Sequence, residues 1–305
     1  MAIPWRPSED SPAAAPVAVV GDPVGMRDRT RAPSVRLGIG FWLSVGWITL
    51  VVLAAIFASV LPIRSPTATN AVERLMAPGS HGYLLGSDTL GRDVLSRLIY
   101  GSRVSLVVGA SSVIIGVVVG ATIGMVAGYV RGTVEQVVMW ALDVILSFPA
   151  LVLLIAVVAF AGHSLRTIAL VLGFIGIPIY ARLARAHTLA VADREFVLAA
   201  RAIGVRTSRI LLRDIVPNVM PAVMSYGLIS VGAVIVVEGS LSFLGLSVSA
   251  PTASWGGLIA EGQPFLQQDP SFVLIPSLVM CLTVLSLNLA GDTMRRRHEA
   301  SGRSR

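Results

Sequence analysis

The chain has 305 residues, 54% of them hydrophobic and only 13% charged, where an average soluble domain carries about 25% charged residues. That composition excludes an ordinary soluble enzyme and points to an all-α polytopic membrane protein. The formal net charge is +7, and all 24 basic residues are arginine, so no lysine exists to complete a Walker A phosphate loop.

Residues 1–37 are rich in Pro, Ala and Arg and lack apolar periodicity. This predicts a cytoplasmic N-terminal tail with no packed core of its own. Residues 38–61 form the first apolar run, long enough at ~1.5 Å per residue to cover the ~30 Å hydrocarbon core. Arg27, Arg29, Arg31 and Arg36 precede it, and arginine is enriched on the cytoplasmic side of spans. The run therefore reads as an uncleaved anchor.

Residues 62–102 are polar and are expected to form an external loop. Asp93 is placed to cap a short amphipathic helix carrying Val94, Leu95, Leu98 and Ile99 on one face. That helix is expected to lie at the interface and lead into the second span. His81, Asp88 and Asp93 do not have the spacing of an established metal site, and no metal is expected.

Residues 103–294 read as the membrane core. The second span, about Val104–Tyr129, carries Gly116, Gly120, Gly124 and Gly128 four apart on one face. Such a face lets two helix backbones approach closely, either as a fixed seam or as one that slides. The third span, about Val137–Ala161, contains Asp143 and then Ser147-Phe148-Pro149. Pro149 is expected to kink the helix or end a shorter preceding segment. Asp143 is expected to pair with Arg131 or an arginine of the fourth span; the alternative is a role in a translocation path.

The fourth span begins near Leu165, includes Pro178 and ends around Arg182 and Arg185. His187 follows and is expected to be structural. The fifth, about Val219–Leu244, holds Glu238 toward its outer end, where it either faces an aqueous path or pairs with another subunit. The loop from Ser247 to Pro270 has no basic residue, which suits an external position, and Trp255 is expected to anchor at the interface. The sixth span, about Phe272–Ala290, contains the sole cysteine, Cys281. A single cysteine excludes an intrachain disulfide, and a buried, inert thiol is expected. Arg295, Arg296 and Arg297 return the chain to a cytoplasmic tail at 295–305. Six spans with both termini cytoplasmic is the expected topology.

Between the fourth and fifth spans lies a basic stretch, 193–217. Asp193 is expected to cap a first short helix and Thr207 a second, with Pro217 limiting its far end. Gly204 sits where a helix ends in a left-handed residue, which glycine adopts without a Cβ penalty. Arg194, Arg201, Arg206, Arg209 and Arg213 make the hairpin cationic. Two readings follow from the residues alone: a cytoplasmic docking element, or a DNA-binding helix-turn-helix tethered to the membrane.

Two runs carry a family resemblance. Ala199-Ala200, Gly204 and Val216-Pro217 resemble the EAA loop of ABC importer permeases, with Leu198 standing where that family usually has glutamate. Leu85-Gly86-Ser87-Asp88 followed by Gly91-Arg92-Asp93-Val94-Leu95-Ser96-Arg97-Leu98-Ile99-Tyr100-Gly101 resembles the signature of the C-type permease of dipeptide, oligopeptide and nickel importers. Glu238–Leu246 and Ser254-Trp255-Gly256 are similar to the same family, and the likeness spans roughly residues 38–292.

The resemblance implies a type I ABC importer permease fold and a non-catalytic subunit of a peptide importer. It implies that Glu195, Ala199, Ala200, Arg201, Gly204, Arg209 and Pro217 form the coupling hairpin. The implied partners are a homologous second permease, two ABC ATPase subunits, an extracytoplasmic substrate-binding protein and the lipid of the bacterial inner membrane; nucleic acid is not among them. ATP and Mg are used by the ATPases, and this chain is expected to bind no cofactor. The rival outside this family is an ion-coupled secondary transporter or channel.

Overall fold

The structure, a computed structural model, describes residues 38–248 and 251–302, with side chains as far as residue 297. The tail expected at 1–37 lies outside the described residues. Among the described residues the regular elements are helices, with one isolated β-bridge between Ser87 and Asp93.

In chain order they are α1 (Ile39–Phe57), α2 (Val94–Val130), α3 (Gly132–Leu146), α4 (Ala150–Ala161), α5 (Leu165–Ala192), α6 (Glu195–Ala202), α7 (Thr207–Ile210), α8 (Val216–Phe243), α9 (Trp255–Gly262) and α10 (Ser271–Gly302). A π-helical turn, Leu211–Ile215, joins α7 to α8. The helices α1, α2, α5, α10 and the continuous run Thr207–Phe243 are each long and apolar enough to cross a membrane. The pair α3 and α4 meets the same test only together and is bent by 78°. The described residues thus hold five spans, or six if the bent pair is one crossing. Pro149 stands at the break: it has no N–H for the helical ladder, and its ring crowds the preceding turn.

The expected interfacial helix is not a separate element. Asp93 does cap it, accepting from Ser96 N at 3.1 Å. However, no breaker follows, and α2 runs unbroken for 37 residues, about 55 Å at 1.5 Å per residue. At that length it exceeds the ~30 Å hydrocarbon layer.

The four glycines of α2 form a seam against α5. A Cβ built on Gly116 would lie 2.6 Å from the Tyr180 ring, on Gly120 2.5 Å from the Ile177 carbonyl oxygen, and on Gly124 2.1 Å from that of Ala181. Gly128 has 3.0 Å to the Arg185 oxygen. Around this seam, Val113, Val117, Met125 and Tyr129 of α2 pack with Tyr180, Ala184, Val219 and Val223. A second cluster joins α1, α9 and α10 through Val51, Trp255, Leu258, Phe272 and Leu287.

Cys281 is exposed, contrary to expectation. It shares the outward stripe of α10 with Leu274, Leu278, Leu285 and Leu289, while Phe272, Thr283, Leu287 and Ala290 set the inward face.

Candidate functional site

The hairpin of α6 and α7 is closed by backbone geometry. Gly204 has φ +75°. Val205 N–H donates to the Ala200 carbonyl and Gly204 N–H to that of Arg201, both at 3.0 Å. These are the paired bonds of a Schellman closure, which satisfy carbonyls left free at the helix end. Val205 and Ala200 both pack on the same apolar cluster, the hydrophobic contact that accompanies such a closure.

The expected caps are not made by Asp193 and Thr207. Arg194 and Arg206, in extended conformation, hold the capping positions of α6 and α7, and neither cap makes a side-chain bond. Asp193 instead accepts from Arg131 Nη2 at 2.8 and 2.9 Å, tying the α5 end to the corner between α2 and α3. Asp193 itself holds the C-terminal capping position of α5, one residue before the cap of α6. Pro217 does not end the second helix either. It lies in the first turn of α8, where the wider π-turn spacing relieves the clash a proline makes with the carbonyl four residues back. Asn218 Nδ2 donates to the Asp214 carbonyl at 2.6 Å in the same turn.

The hairpin has two faces. Val197, Ile210 and Ile215 are fully buried against Met125, Tyr129, Val191, Ala192 and Val219. The other face is exposed and carries Phe196, Leu198, Ile203 and Leu212 beside Arg206, Arg209 and Arg213. A groove of about 640 Å³ runs over it, lined by Ile203, Gly204, Arg206, Ser208, Arg209 and Leu212. Glu195, Ala199, Gly204, Arg209 and Pro217 are all exposed, while Ala200 is half-buried. Arg201 is exposed but engaged: its Nε donates to Tyr129 Oη at 3.0 Å, and its guanidinium lies 4.3 Å from that ring's centroid.

Further ion pairs fix the same end of the bundle. Asp143 pairs with Arg182 of α5, one of the two partners expected for it. Arg185 pairs with Glu135 of α3, which the sequence reading missed.

At the opposite end, the charged residues of the Leu85–Gly101 run form a buried network. Asp88 is wholly buried. It accepts from Leu90 N and Arg92 N at 2.8 and 2.9 Å, and from Arg92 Nε and Arg97 Nη1 at 2.5 Å. Glu261 of α9 accepts from Arg97 Nη2 at 2.9 Å and from Arg92 Nη2 at 3.0 Å, while Arg97 Nε is buried without a partner. Two arginines and two carboxylates thus join the segment before α2, α2 itself and α9 with no net charge.

The glycines of that run are required by space. A Cβ on Gly86 would lie 2.4 Å from the Met76 oxygen, and one on Gly91 1.9 Å from that of Asn70; both glycines have positive φ. Nearby, the Tyr83 hydroxyl donates to Glu73 at 2.9 Å. Burial, and then that carboxylate, push its pKa above the usual phenol value.

Trp255 is not an interfacial anchor. It is fully buried, and its Nε1–H donates to the Leu98 carbonyl at 3.1 Å, because the loop folds back as α9 against α2, α8 and α10. Glu238 is also fully buried. Its Oε1 accepts from Ser242 and Ser247 at 2.9 and 2.8 Å, and its Oε2 from Ser105 at 3.2 Å. Its partners are hydroxyls of its own chain, so here it neither opens to a path nor reaches outward.

Residues 120–303 match the family of binding-protein-dependent transport system inner membrane components. The chain belongs to that family. Its relatives in the family include the dipeptide transport system permease protein DppC of Alkalihalophilus pseudofirmus, 35% identical over 248 residues and 81% of each chain. The di/tripeptide transport system permease protein DppC of Pseudomonas aeruginosa is 34% identical over 82% of this chain and 84% of that one. The glutathione transport system permease protein GsiD of Shigella flexneri is 37% identical over 82% of each. The inner membrane component also shares its fold with a chain of the inward-facing MetNI methionine ABC transporter. The TM-score is 0.55 at 17% identity, covering 66% of this chain and 96% of that one. The resemblance read from the two sequence runs is borne out, as is the ABC importer permease fold.

Proposed function

We propose that this inner membrane component is a permease subunit of an ATP-driven importer of di- or oligopeptides, the substrate class its relatives' names share. It pairs with a homologous second permease to enclose the path. Two ABC ATPases dock on the cytoplasmic hairpins, and an extracytoplasmic binding protein delivers the substrate. ATP and Mg act at the ATPases, and the chain itself catalyses nothing. The observation that carries this reading is the two-faced hairpin: one face rooted in the core, the other presenting apolar side chains among arginines around Gly204. Closure of the ATPases would push on this rigid element and so move α5 and α8, between which it is held.

The test is docking. Ile203 is 80% exposed, so Ile203→Asp removes an apolar contact and adds a charge without touching the core. Gly204→Val meets open space but forces a β-branched residue to positive φ, at a cost of order 1–3 kcal/mol. Both variants are expected to insert and pair with the second permease, yet to retain less ATPase on purification and to show less substrate-stimulated hydrolysis. Normal ATPase retention and transport by both would remove the hairpin from the coupling role. Ala200 is a poorer probe than the sequence implied, because its half-buried side chain also seats the hairpin.

Orientation has its own test. Cysteines at Ser208 and Gln267, in a Cys281→Ser background, lie on the hairpin and on the segment between α9 and α10. An impermeant thiol reagent on spheroplasts is expected to label Gln267→Cys and spare Ser208→Cys; the reverse pattern would invert the topology.

A further inference from the structure

An apolar groove of about 420 Å³ runs between α2, α4 and α5, lined by Ile115, Leu153, Val157, Leu170, Phe174 and Ile177. Gly173 makes it possible: a Cβ there would lie 2.8 Å from Ile115 Cβ, so α5 lies directly on Ile115. The 78° break between α3 and α4 turns α4 away from the line of α3.

Arg166 lies in the first turn of α5, one helical turn before the lining residue Leu170. It is followed on the same helix face by Leu170 and Phe174, four and eight residues on. It is exposed and makes no ion pair among the described residues. Its own stretch offers no counter-charge, since the sequence has no acidic residue between Asp143 and Asp193. The depth also fits a lipid. From Arg166 to Ile177 the helix rises about 16 Å, and one leaflet of a ~30 Å hydrocarbon core is about 15 Å deep.

We propose that this groove is a binding site for an anionic phospholipid of the leaflet opposite the hairpin. The phosphate sits on Arg166, and one acyl chain lies along Leu170 and Phe174 toward Ile177. A guanidinium matches a phosphate better than it matches a zwitterionic headgroup, whose own ammonium competes. The wholly apolar lining below it takes a hydrocarbon tail and offers nothing to a polar ligand. The site is independent of the transport reading, and its occupancy is measured without transport.

The full chain, purified in detergent with the subunits that accompany it, is examined by native mass spectrometry. The two probes are dioleoylphosphatidylglycerol and dioleoylphosphatidylcholine. The unmodified chain is expected to retain phosphatidylglycerol over phosphatidylcholine by about fivefold. Arg166→Gln, a surface change that leaves the core alone, is expected to bring that ratio near unity. Leu170→Trp, at a position 59% exposed, is expected to fill the groove and lower retention of both lipids. An unchanged ratio in Arg166→Gln overturns the phosphate site. Undiminished lipid in Leu170→Trp overturns the groove, and so does loss of a partner subunit in place of lipid, which would make the face a protein interface.

Discussion

Replacing Gly124 by valine is expected to abolish recovery of the folded protein from the membrane. A Cβ at this position would lie 2.1 Å from the Ala181 carbonyl oxygen, 2.8 Å from its carbon and 2.9 Å from its Cα. All three are backbone atoms of α5, so no rotamer change relieves the clash. The two helices would have to move apart by more than an ångström. Because Gly116, Gly120 and Gly128 share the seam, that shift would open the whole line of contact. Without a hydrophobic force between helices in lipid, close packing is what holds such a pair together. Overpacking a soluble core costs about 1–3 kcal/mol, and a backbone clash along a shared seam lies at or above the top of that range. Yield and monodispersity of detergent extracts by size exclusion measure the outcome. Gly128→Ala, whose Cβ would sit 3.0 Å from the Arg185 oxygen, a tight contact that a shift of a few tenths of an ångström relieves, is expected to keep a partial yield. If Gly124→Val elutes as the unmodified chain does, the seam is not a determinant of the fold.

That seam was half legible in the sequence. Glycines at i, i+4, i+8 and i+12 declare a face meant for close approach. They do not say which helix approaches, because what meets them is the α5 backbone, and every helix has one. The hairpin shows a similar split. Gly204 could be placed in advance because few residues other than glycine take positive φ cheaply. The caps at Asp193 and Thr207 could not, because the capping positions lie one residue away, at Arg194 and Arg206, and a local rule does not fix a helix end to the residue. Trp255 was misplaced for a different reason. Tryptophan favours interfaces on average, but α9 folds back into the bundle and gives the indole N–H the Leu98 carbonyl. The Leu85–Gly101 run was recognised by likeness while its physical reason stayed hidden. Arg92 and Arg97 read as ordinary charges of a polar loop, and only Glu261, more than 160 residues later, shows why they can be buried.

Asp88→Ala is the second change with a large expected effect. The Asp88 side chain is wholly buried, and Arg97 and Arg92 are 1% and 6% exposed. Removing the carboxylate leaves two buried guanidinium groups sharing Glu261, one net positive charge, and the N–H groups of Leu90 and Arg92 without their acceptor. Breaking a buried ion pair from one side costs about 3–5 kcal/mol, because the remaining charge stays desolvated. Glu261→Gln is expected to cost less. Its side chain is 35% exposed, so water reaches the site to screen the arginines, and Asp88 still neutralises part of their charge. The order of melting temperature in detergent is therefore expected to be unmodified chain, then Glu261→Gln, then Asp88→Ala. The gap should change little with salt, since buried pairs are weakly screened. The damage should also be local at first. Asp88 accepts from the backbone of its own loop, and the Asp88 carbonyl accepts from Leu75 N–H, so limited proteolysis should cut between Arg64 and Arg92 before it cuts the hairpin. Equal melting temperatures for Asp88→Ala and the unmodified chain would mean the arginines find water in the folded state and the network holds nothing. Early cutting at the hairpin instead would place the weak point at the other end of the bundle.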